Sequence, residues 1–465
     1  MMPVVLALAL GIARAAPVQA PLVIEHVTVI DGTGTAPRAR MAVVVRGRTI
    51  EAIVPMAGFK APPHARIVDG AGGFVIPGLW DMHVHVAAFG RSRLPLFLAG
   101  GVTAVRDLGG PPDSVFGWQR EVRAGTLAGP RIFAVGRLLS AGDMGDAFGV
   151  ALIKTPDDAR AAVLANKARG AVAIKVWSLL PKPAYLAAAD EARRQKLMLI
   201  GHVPDEISWQ DAVKAGHRGF EHLLGLPVSE SSNEPELLER LVRMVDAAPD
   251  VGAKLATMVS LDMAAIESFD STRALALFRD MKAAGAWVCP TLTDSHAYTV
   301  MKDSLPTDLR LAYLPKGLRD GWIADAAAMP ADLVGAWRAL FPVAIKNVGR
   351  LHRAGVRIIA GTDAGATYDM PGFDIHNELA LLVRAGLSPM EAIQAATQNA
   401  ALATGQGARM GTIRAGKVAD LLLLSANPLT HIGNTRRIAG VIAAGTYYSA
   451  AALSAELERV RGMRD

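Results

Sequence analysis

Two histidines separated by a single residue stand in segment 74–85, and their spacing suits metal binding. The segment reads FVIPGLWDMHVH, in which His85 is the last residue and His83 stands two residues before it. Side chains two apart in a β-strand point to the same side, so both imidazoles can face one point. Neutral imidazole nitrogens bind zinc and related metals. Because two nearby histidines can also be hydrogen-bonded core residues, this pair alone supplies only half of a metal site.

Further side chains able to bind a metal stand within or just after other apolar runs. These are Lys175, His202, His222 and Asp363. Lys175 lies inside the run 171–177, where an ammonium group is costly unless it is paired or chemically altered. Each residue has a simpler explanation, such as a helix cap or a buried ion pair. Six such side chains, counted with the first pair and placed in or at the ends of five of the eight apolar runs, nevertheless favour one shared site.

The apolar runs alternate with helical sequence through the middle of the chain. Eight runs are strand candidates: the one ending at His85, then 102–105, 131–135, 171–177, 198–203, 220–223, 287–292 and 356–361. Eight strand–helix units predict a closed parallel barrel, whose active site lies at the carboxyl ends of its strands. The two long connections, 223–287 and 293–356, are expected to shape a substrate pocket.

Short strand-like runs separated by turn residues occur near both ends of the chain, which predicts one β module built from the two ends. The predicted fold class is α/β, a TIM-like (β/α)₈ barrel with a small β-sandwich domain formed from both chain ends. The predicted divisions are a signal peptide at 1–20, β-sandwich at 21–76, barrel at 77–405, β-sandwich at 406–448 and a C-terminal helix at 449–465.

The signal peptide is predicted from the apolar run 2–13 and the small residues that follow it. It implies export, to a periplasm or out of the cell, and a disordered tail is the alternative. No later stretch is apolar and long enough to anchor the chain in a membrane.

Composition excludes several classes of protein. The 49 basic and 43 acidic residues are scattered, so nucleic-acid binding is not expected despite the net charge of +6. The single cysteine, Cys289, excludes an internal disulfide and a cysteine-based zinc cluster. A small-molecule substrate is expected, and assembly into a homo-oligomer is left open.

The sequence resembles the amidohydrolase superfamily, specifically its metal-dependent imidazolonepropionase-like and Xaa-Pro dipeptidase-like branch. The motifs that carry the resemblance are VIDG at 29–32, PGLWDMHVH at 77–85, GTDAG at 361–365, EL at 378–379, AATQNA at 395–400 and GKVADL at 416–421.

The resemblance implies two divalent metal ions, with zinc expected, and a carbamate on Lys175 formed from CO₂. His83, His85 and Asp363 would bind one metal, and His202 and His222 the other. The carbamylated Lys175 and a hydroxide would bridge the pair, and Asp363 would act as catalytic base and acid. A single-metal site of the deaminase type is the alternative, and Lys175 argues against it.

The expected activity is hydrolysis of a C–N bond in an amide or peptide-like substrate, rather than classical proteolysis. Hydrolysis of an imidazolone-type cyclic amide or of a lactone at the same site is the alternative, and a noncatalytic binding protein is a third. Where many relatives carry Gly-Gly-His, this chain has SAGDMG at 140–145, which includes Asp143. Asp143, His296 and Tyr298 are candidate substrate contacts, with His376 as a further one, and all could equally be residues without such a role.

Overall fold

The computed structural model describes residues 20–248, 251–366 and 368–463, and in them the chain forms an α/β fold. The strands are β1 Leu22–Val29, β2 Arg38–Arg46, β3 Thr49–Pro55, β4 Arg66–Asp69, β5 Phe74–Pro77, β6 Leu79–Val84, β7 Val102–Asp107, β8 Arg131–Ala134, β9 Leu138–Ser140, β10 Val150–Leu152, β11 Ala173–Val176, β12 Met198–Gly201, β13 His217–Glu221, β14 Trp287–Cys289, β15 Arg357–Ile358, β16 Leu421–Leu424, β17 Ile438–Ala443 and β18 Thr446–Ser449.

The helices lie mainly between the strands of the middle part of the chain. They are α1 Val86–Phe89, α2 Pro95–Ala99, α3 Pro112–Ala124, α4 Pro156–Ala168, α5 Lys182–Arg194, α6 Trp209–Ala215, α7 Leu226–Glu230, α8 Glu234–Ala247, α9 Val251–Ile266, α10 Ser271–Ala283, α11 Leu292–Ser304, α12 Lys316–Ala328, α13 Ala331–Ala354, α14 Ile375–Arg384, α15 Pro389–Ala395, α16 Gln398–Ala403 and α17 Ala450–Arg461. Short 3₁₀ turns connect some of them.

The parallel strands β6–β8 and β11–β15 close into the predicted barrel. Strands β6, β7 and β8 pair in order, as do β11 to β15. A hydrogen bond from Val172 N to Ala134 O, 3.0 Å long, links the third and fourth barrel strands. The chain after β15 returns to β6, where Asp363 N donates to His83 O at 2.8 Å. The barrel predicted from eight apolar runs is therefore confirmed.

Strands from both ends of the chain form one further sheet, as predicted. Its order is β18-β17-β16-β5-β1-β2-β3, with β4 beside β1. Strand β16 runs antiparallel to β5, from Leu421 opposite Pro77 to Leu424 opposite Phe74. Alternating residues of β1 and β2 enter two apolar clusters, so both faces of this sheet are covered.

Several predicted strands are shorter or shifted in the structure, and the eighth, predicted as 356–361, covers only Arg357–Ile358. The sixth barrel strand is His217–Glu221 rather than 220–223, so it ends directly before His222. The seventh is Trp287–Cys289 rather than 287–292, because Leu292 is the first residue of α11, where it is buried in the main apolar core. Apolar runs do not distinguish a strand from the buried start of the next helix.

The two long connections of the barrel are helical. Helices α7–α10 lie between β13 and β14, and α11–α13 lie between β14 and β15. Among the described residues no single helix has the length and apolar composition to cross a membrane. Helices α12 and α13 reach that composition only when taken together, and they meet at 94°. The predicted signal segment lies outside the described residues, apart from position 20.

Candidate metal centre

All of the metal ligands predicted from the sequence line one cavity at the carboxyl ends of the barrel strands. They are His83, His85, Lys175, His202, His222 and Asp363. Asp363 lies between the histidines: its Oδ1 is 3.2 Å from His83 Nε2 and 3.4 Å from His85 Nε2. Its Oδ2 is 3.7 Å from Nε2 of His222. The barrel therefore brings residues that are 280 positions apart to one point.

The first pair of imidazoles is held so that Nε2 faces the cavity. His83 Nδ1–H donates to Glu221 Oε2 at 3.0 Å, and His85 Nδ1–H donates to the Gly109 carbonyl at 3.0 Å. These bonds fix the tautomer and leave the Nε2 lone pair available, which is how metal-binding histidines are usually oriented.

The second pair is held by hydroxyl groups. His202 Nδ1 shares a 2.8 Å hydrogen bond with Ser178 Oγ, and His222 Nδ1 shares one of 2.7 Å with Thr291 Oγ1. The two rings lie 4.7 Å apart between centroids. Each of the four imidazoles thus has its Nδ1 occupied outside the cavity and its Nε2 available inside it.

The protonation states of the site also suit a metal. Burial lowers the pKa of His83 and His202 well below the usual range and that of His222 to about 4. Burial alone would raise the pKa of Asp363, but the neighbouring His83, His85 and His222 outweigh it and hold that pKa well below its usual value. Neutral imidazoles and an ionised carboxylate are the forms that coordinate metals.

One oxygen of Asp363 shows that the donor set fits a cation. Oδ1 is buried and accepts no hydrogen bond, although two Nε2 atoms lie close to it. Buried carboxylate oxygens are normally satisfied, so three donors without mutual hydrogen bonds indicate a ligand between them. Donor atoms of His83, His85 and Asp363 lie within 4.8 Å of one another.

A second group of donors includes a residue that the sequence analysis missed. Atoms of His222, Asp294 and Asp363 also lie within 4.8 Å of one another. Asp294 Oδ1 is buried without a hydrogen-bond partner, like the oxygen of Asp363. Asp294 stands in the first turn of α11, five residues after β14, so no strand-end signal pointed to it.

Lys175 lies in β11 with its side chain 1% exposed. Burial lowers the pKa of its ammonium group to about 8, although the Glu221 and Asp363 carboxylates act in the opposite direction. Near neutral pH this lysine is therefore still mostly protonated, but a larger share of it is an uncharged amine than in an exposed lysine. That is the form of lysine that reacts as a nucleophile.

Three residues of the site adopt left-handed backbone conformations. The φ angles of His222, Thr291 and Asp363 are 60°, 43° and 65°, each just after one of the last three barrel strands. Such conformations cost on the order of 1–3 kcal/mol for residues other than glycine and concentrate at functional sites. Here they turn the chain sharply where it leaves the barrel. The side chains of His222 and Asp363 line the cavity, and that of Thr291 is hydrogen-bonded to His222.

A buried ion pair between Arg106 and Glu221 holds the ring of His83 in place. Arg106 donates through Nη2 to Glu221 Oε1, and its Nε donates to Met82 O at 2.8 Å. Glu221 therefore holds His83 with one oxygen and Arg106 with the other. The sequence carried a signal for this pair, because both charged residues stand within or at the end of buried strands, as Lys175 does.

The predicted substrate contacts separate into two groups. Asp143 and Tyr298 line the cavity. His296 is exposed on another face of α11, where its ring lies 5.2 Å from that of Phe341. Residues two apart in a helix are turned by about 200°, so His296 and Tyr298 cannot share a face. His376 is buried outside the cavity, hydrogen-bonded to Thr435 Oγ1 and to Gly100 O.

Comparison with known proteins agrees with this geometry. Residues 74–447 match the model of the amidohydrolase family. The chain belongs to the amidohydrolase family. It is therefore a hydrolase that acts on carbon–nitrogen bonds, as predicted.

Individual relatives are distant. Over 422 aligned residues the chain is 25% identical to ochratoxinase from Aspergillus niger, covering 77% of this chain and 71% of that protein. The structure of a bottromycin amidohydrolase superposes with a TM-score of 0.73 at 24% identity, covering 94% of this chain and 90% of that one. A putative prolidase from Bifidobacterium longum has a TM-score of 0.66 at 25% identity, covering 96% and 100%.

Proposed function

We propose that this amidohydrolase cleaves an amide or peptide-like bond with the help of two divalent metal ions, for which zinc is expected. His83, His85 and Asp363 would hold one ion, and His202 and His222 the other. The supporting observation is the place of Asp363, with Oδ1 beside His83 and His85 and Oδ2 beside His222. Imidazole and carboxylate donors in this number suit zinc. Asp294 stands close enough to be a further ligand of the second ion.

Lys175 would complete the site as a carbamate. Its uncharged amine attacks CO₂, a nitrogen–carbon bond forms and the nitrogen loses a proton to water, which leaves an anionic carboxylate. This reaction removes a buried cation and supplies an oxygen ligand between the two groups of histidines. The support for it is the burial of Lys175 and the lowered pKa of its amine.

Asp363 is the residue of this chain that would move the proton. When bound, two divalent ions would lower the pKa of a water molecule and polarise the scissile carbonyl. Asp363 would take a proton from the attacking water as the water oxygen bonds to the carbonyl carbon. It then donates this proton to the nitrogen as the C–N bond breaks, which leaves a carboxylic acid and an amine. Glu221 and Arg106 keep the His83 ring in place meanwhile.

The first experiment measures metal and turnover together. Elemental analysis of the purified protein is expected to find two divalent ions per chain. Lys175→Ala should weaken metal binding by more than about 10²-fold, since loss of even an outer-shell partner costs 10–100-fold. Its turnover should fall with the metal and return in part when formate or acetate is added. The matched control, Lys167→Ala, replaces an exposed lysine of α4 and should change neither quantity.

The same preparation, assayed on amides, imidazolone-type cyclic amides and lactones, compares the three candidate reactions. One tightly bound ion with full activity would contradict the two-metal site. A fully active Lys175→Ala protein would remove the carbamate from the mechanism.

A further inference from the structure

The cavity above the metal centre has one polar side and one apolar side. Its volume is about 460 Å³, within the range of pockets that hold small organic molecules. The polar side is the metal centre at the strand ends. The apolar side comes from the long connections, with Leu255 and Val259 of α9, Tyr298 of α11 and Trp337 of α13. Tyr298 and Trp337 stack with 4.7 Å between ring centroids.

One face of α13 contributes to the apolar side. Apart from Val343, its cavity-lining residues recur every three or four positions, as expected for one face of a helix: Leu333, Trp337, Leu340, Ala344 and Asn347. A substrate group that fills this part of the cavity is therefore large and apolar.

The charged side chains of the cavity are almost all acidic. Among the described residues that line it, the aspartates are Asp143, Asp262, Asp294 and Asp363. Such groups are neutral or negative and never positive. Lys175 is the one lysine or arginine in that lining, and it lies in the metal centre, where the proposed carbamylation would make it an anion.

None of the three arginines of α13 lines the cavity, and two of them have partners elsewhere. Arg338 donates through Nε to Thr299 O at 3.0 Å and pairs with Asp303 at 3.1 Å. Arg350 donates to Asn347 Oδ1 at 2.9 Å and lies over the ring of Phe269. Away from the metal centre, a carboxylate on the substrate would thus lie against apolar and acidic groups, with no lysine or arginine among the described lining residues there to pair with it, which is strongly unfavourable.

We infer that the substrate is an amide that carries a large apolar group and no free carboxylate, in contrast to dipeptides and N-acyl amino acids. This inference rests on the proposed amide hydrolysis and names its substrate class. The apolar group would pack against Trp337 and Leu340, while the scissile amide lies at the metal centre.

Two compounds that differ only in the carboxylate test this inference. They are N-benzoyl-phenylalanine and N-benzoyl-phenethylamine, and release of benzoate is measured for both with the metal-loaded enzyme. The neutral compound should have a kcat/KM more than about 100-fold higher, the scale expected for an unpaired buried charge. Equal or faster hydrolysis of the acid would overturn the inference.

A variant that adds a cation to the wall provides the second arm. Val343 lines the cavity and is half-buried. Val343→Arg would offer the carboxylate a cationic partner, so kcat/KM for the acid relative to that for the neutral compound should rise by at least about tenfold. Val343→Leu should leave this ratio unchanged. An unchanged ratio in a folded, metal-loaded Val343→Arg protein would also overturn the inference. If neither compound is hydrolysed, the inference is also overturned. A failure of the proposed metal centre would be seen separately, in the metal content.

Discussion

At the residue scale, Asp363 joins the two groups of histidines and is the only one of the predicted ligands with a second role. Its carboxylate touches Nε2 atoms on both sides, and these neighbours keep it ionised in a buried place. A carboxylate at this point can bind a cation through one oxygen and accept a proton through the other. The two roles are separable by experiment.

Asp363→Asn separates them, because asparagine keeps the size and one oxygen donor but cannot accept a proton near neutral pH. We expect the variant to keep most of its metal and to lose turnover by roughly 10²–10⁴-fold, the range that general acid–base catalysis supplies. Metal content and turnover are measured on the same preparation. Near-normal turnover would refute the role of Asp363 as base, since a residue that merely caps a helix tolerates asparagine equally well.

The sequence predicted the residues at strand ends and missed those set by a helix or a turn. Lys175 and the four histidines stand inside or directly after apolar runs, so their place in a barrel followed from the strands. Asp294 reaches the site because the chain makes a left-handed turn at Thr291. Threonine is β-branched and rarely adopts this conformation, so nothing in the sequence indicated the turn. His296 and Tyr298 were equivalent candidates until the helical phase of α11 put Tyr298 at the cavity and His296 at the surface.

At the element scale, the long connections form the wall of the cavity, whereas the terminal strands join the two ends of the chain. Helices α9, α11 and α13 cover the carboxyl ends of the barrel and form the apolar side of the cavity. That these segments would shape the pocket could be predicted from their length, but the facing residues depend on how the helices pack. Strand β16 joins the end of the chain to β5, directly before the first barrel strand.

Leu423 in β16 tests how much the terminal sheet contributes to stability without touching the site. Its side chain is 3% exposed and belongs to the apolar cluster of that sheet. Leu423→Ala should lower the free energy of unfolding by about 2–5 kcal/mol, as burial loss and the remaining cavity predict. Urea unfolding measures this change. Leu275→Ala, at a side chain that is 64% exposed, is the control and should stay within about 0.5 kcal/mol of the parent.

Metal content and kcat/KM of Leu423→Ala should equal those of the parent at a temperature where both are folded. A loss of metal in the folded variant would mean that the terminal sheet also supports the metal centre.

At the scale of the whole molecule, the two ends of the chain meet in one sheet, so the first described strand cannot be lost without cost. Pro21 O accepts a hydrogen bond of 2.8 Å from Arg66 N, and β1 begins at the next residue. Strand β1 pairs with β2, β4 and β5. A signal-peptide cleavage that leaves this strand intact would therefore fall before residue 21.

We propose that the chain is exported and that its apolar segment 2–13 is removed in the process. Cleavage after Ala15 or Ala20 would leave β1 whole, and Ala13 and Val18 stand two places before these positions. Intact-mass measurement of protein from the periplasmic fraction of an expressing bacterium should find a chain that begins at position 16 or 21. Leu8→Arg places a charge in the apolar segment and should leave the full-length chain inside the cell, whereas Leu8→Ile should behave as the parent. A full-length parent chain confined to the cytoplasm would contradict the proposal, because the segment would then not direct export. A cleavage beyond Pro21 would contradict it as well, because it would cut into the strand that joins both ends of the fold.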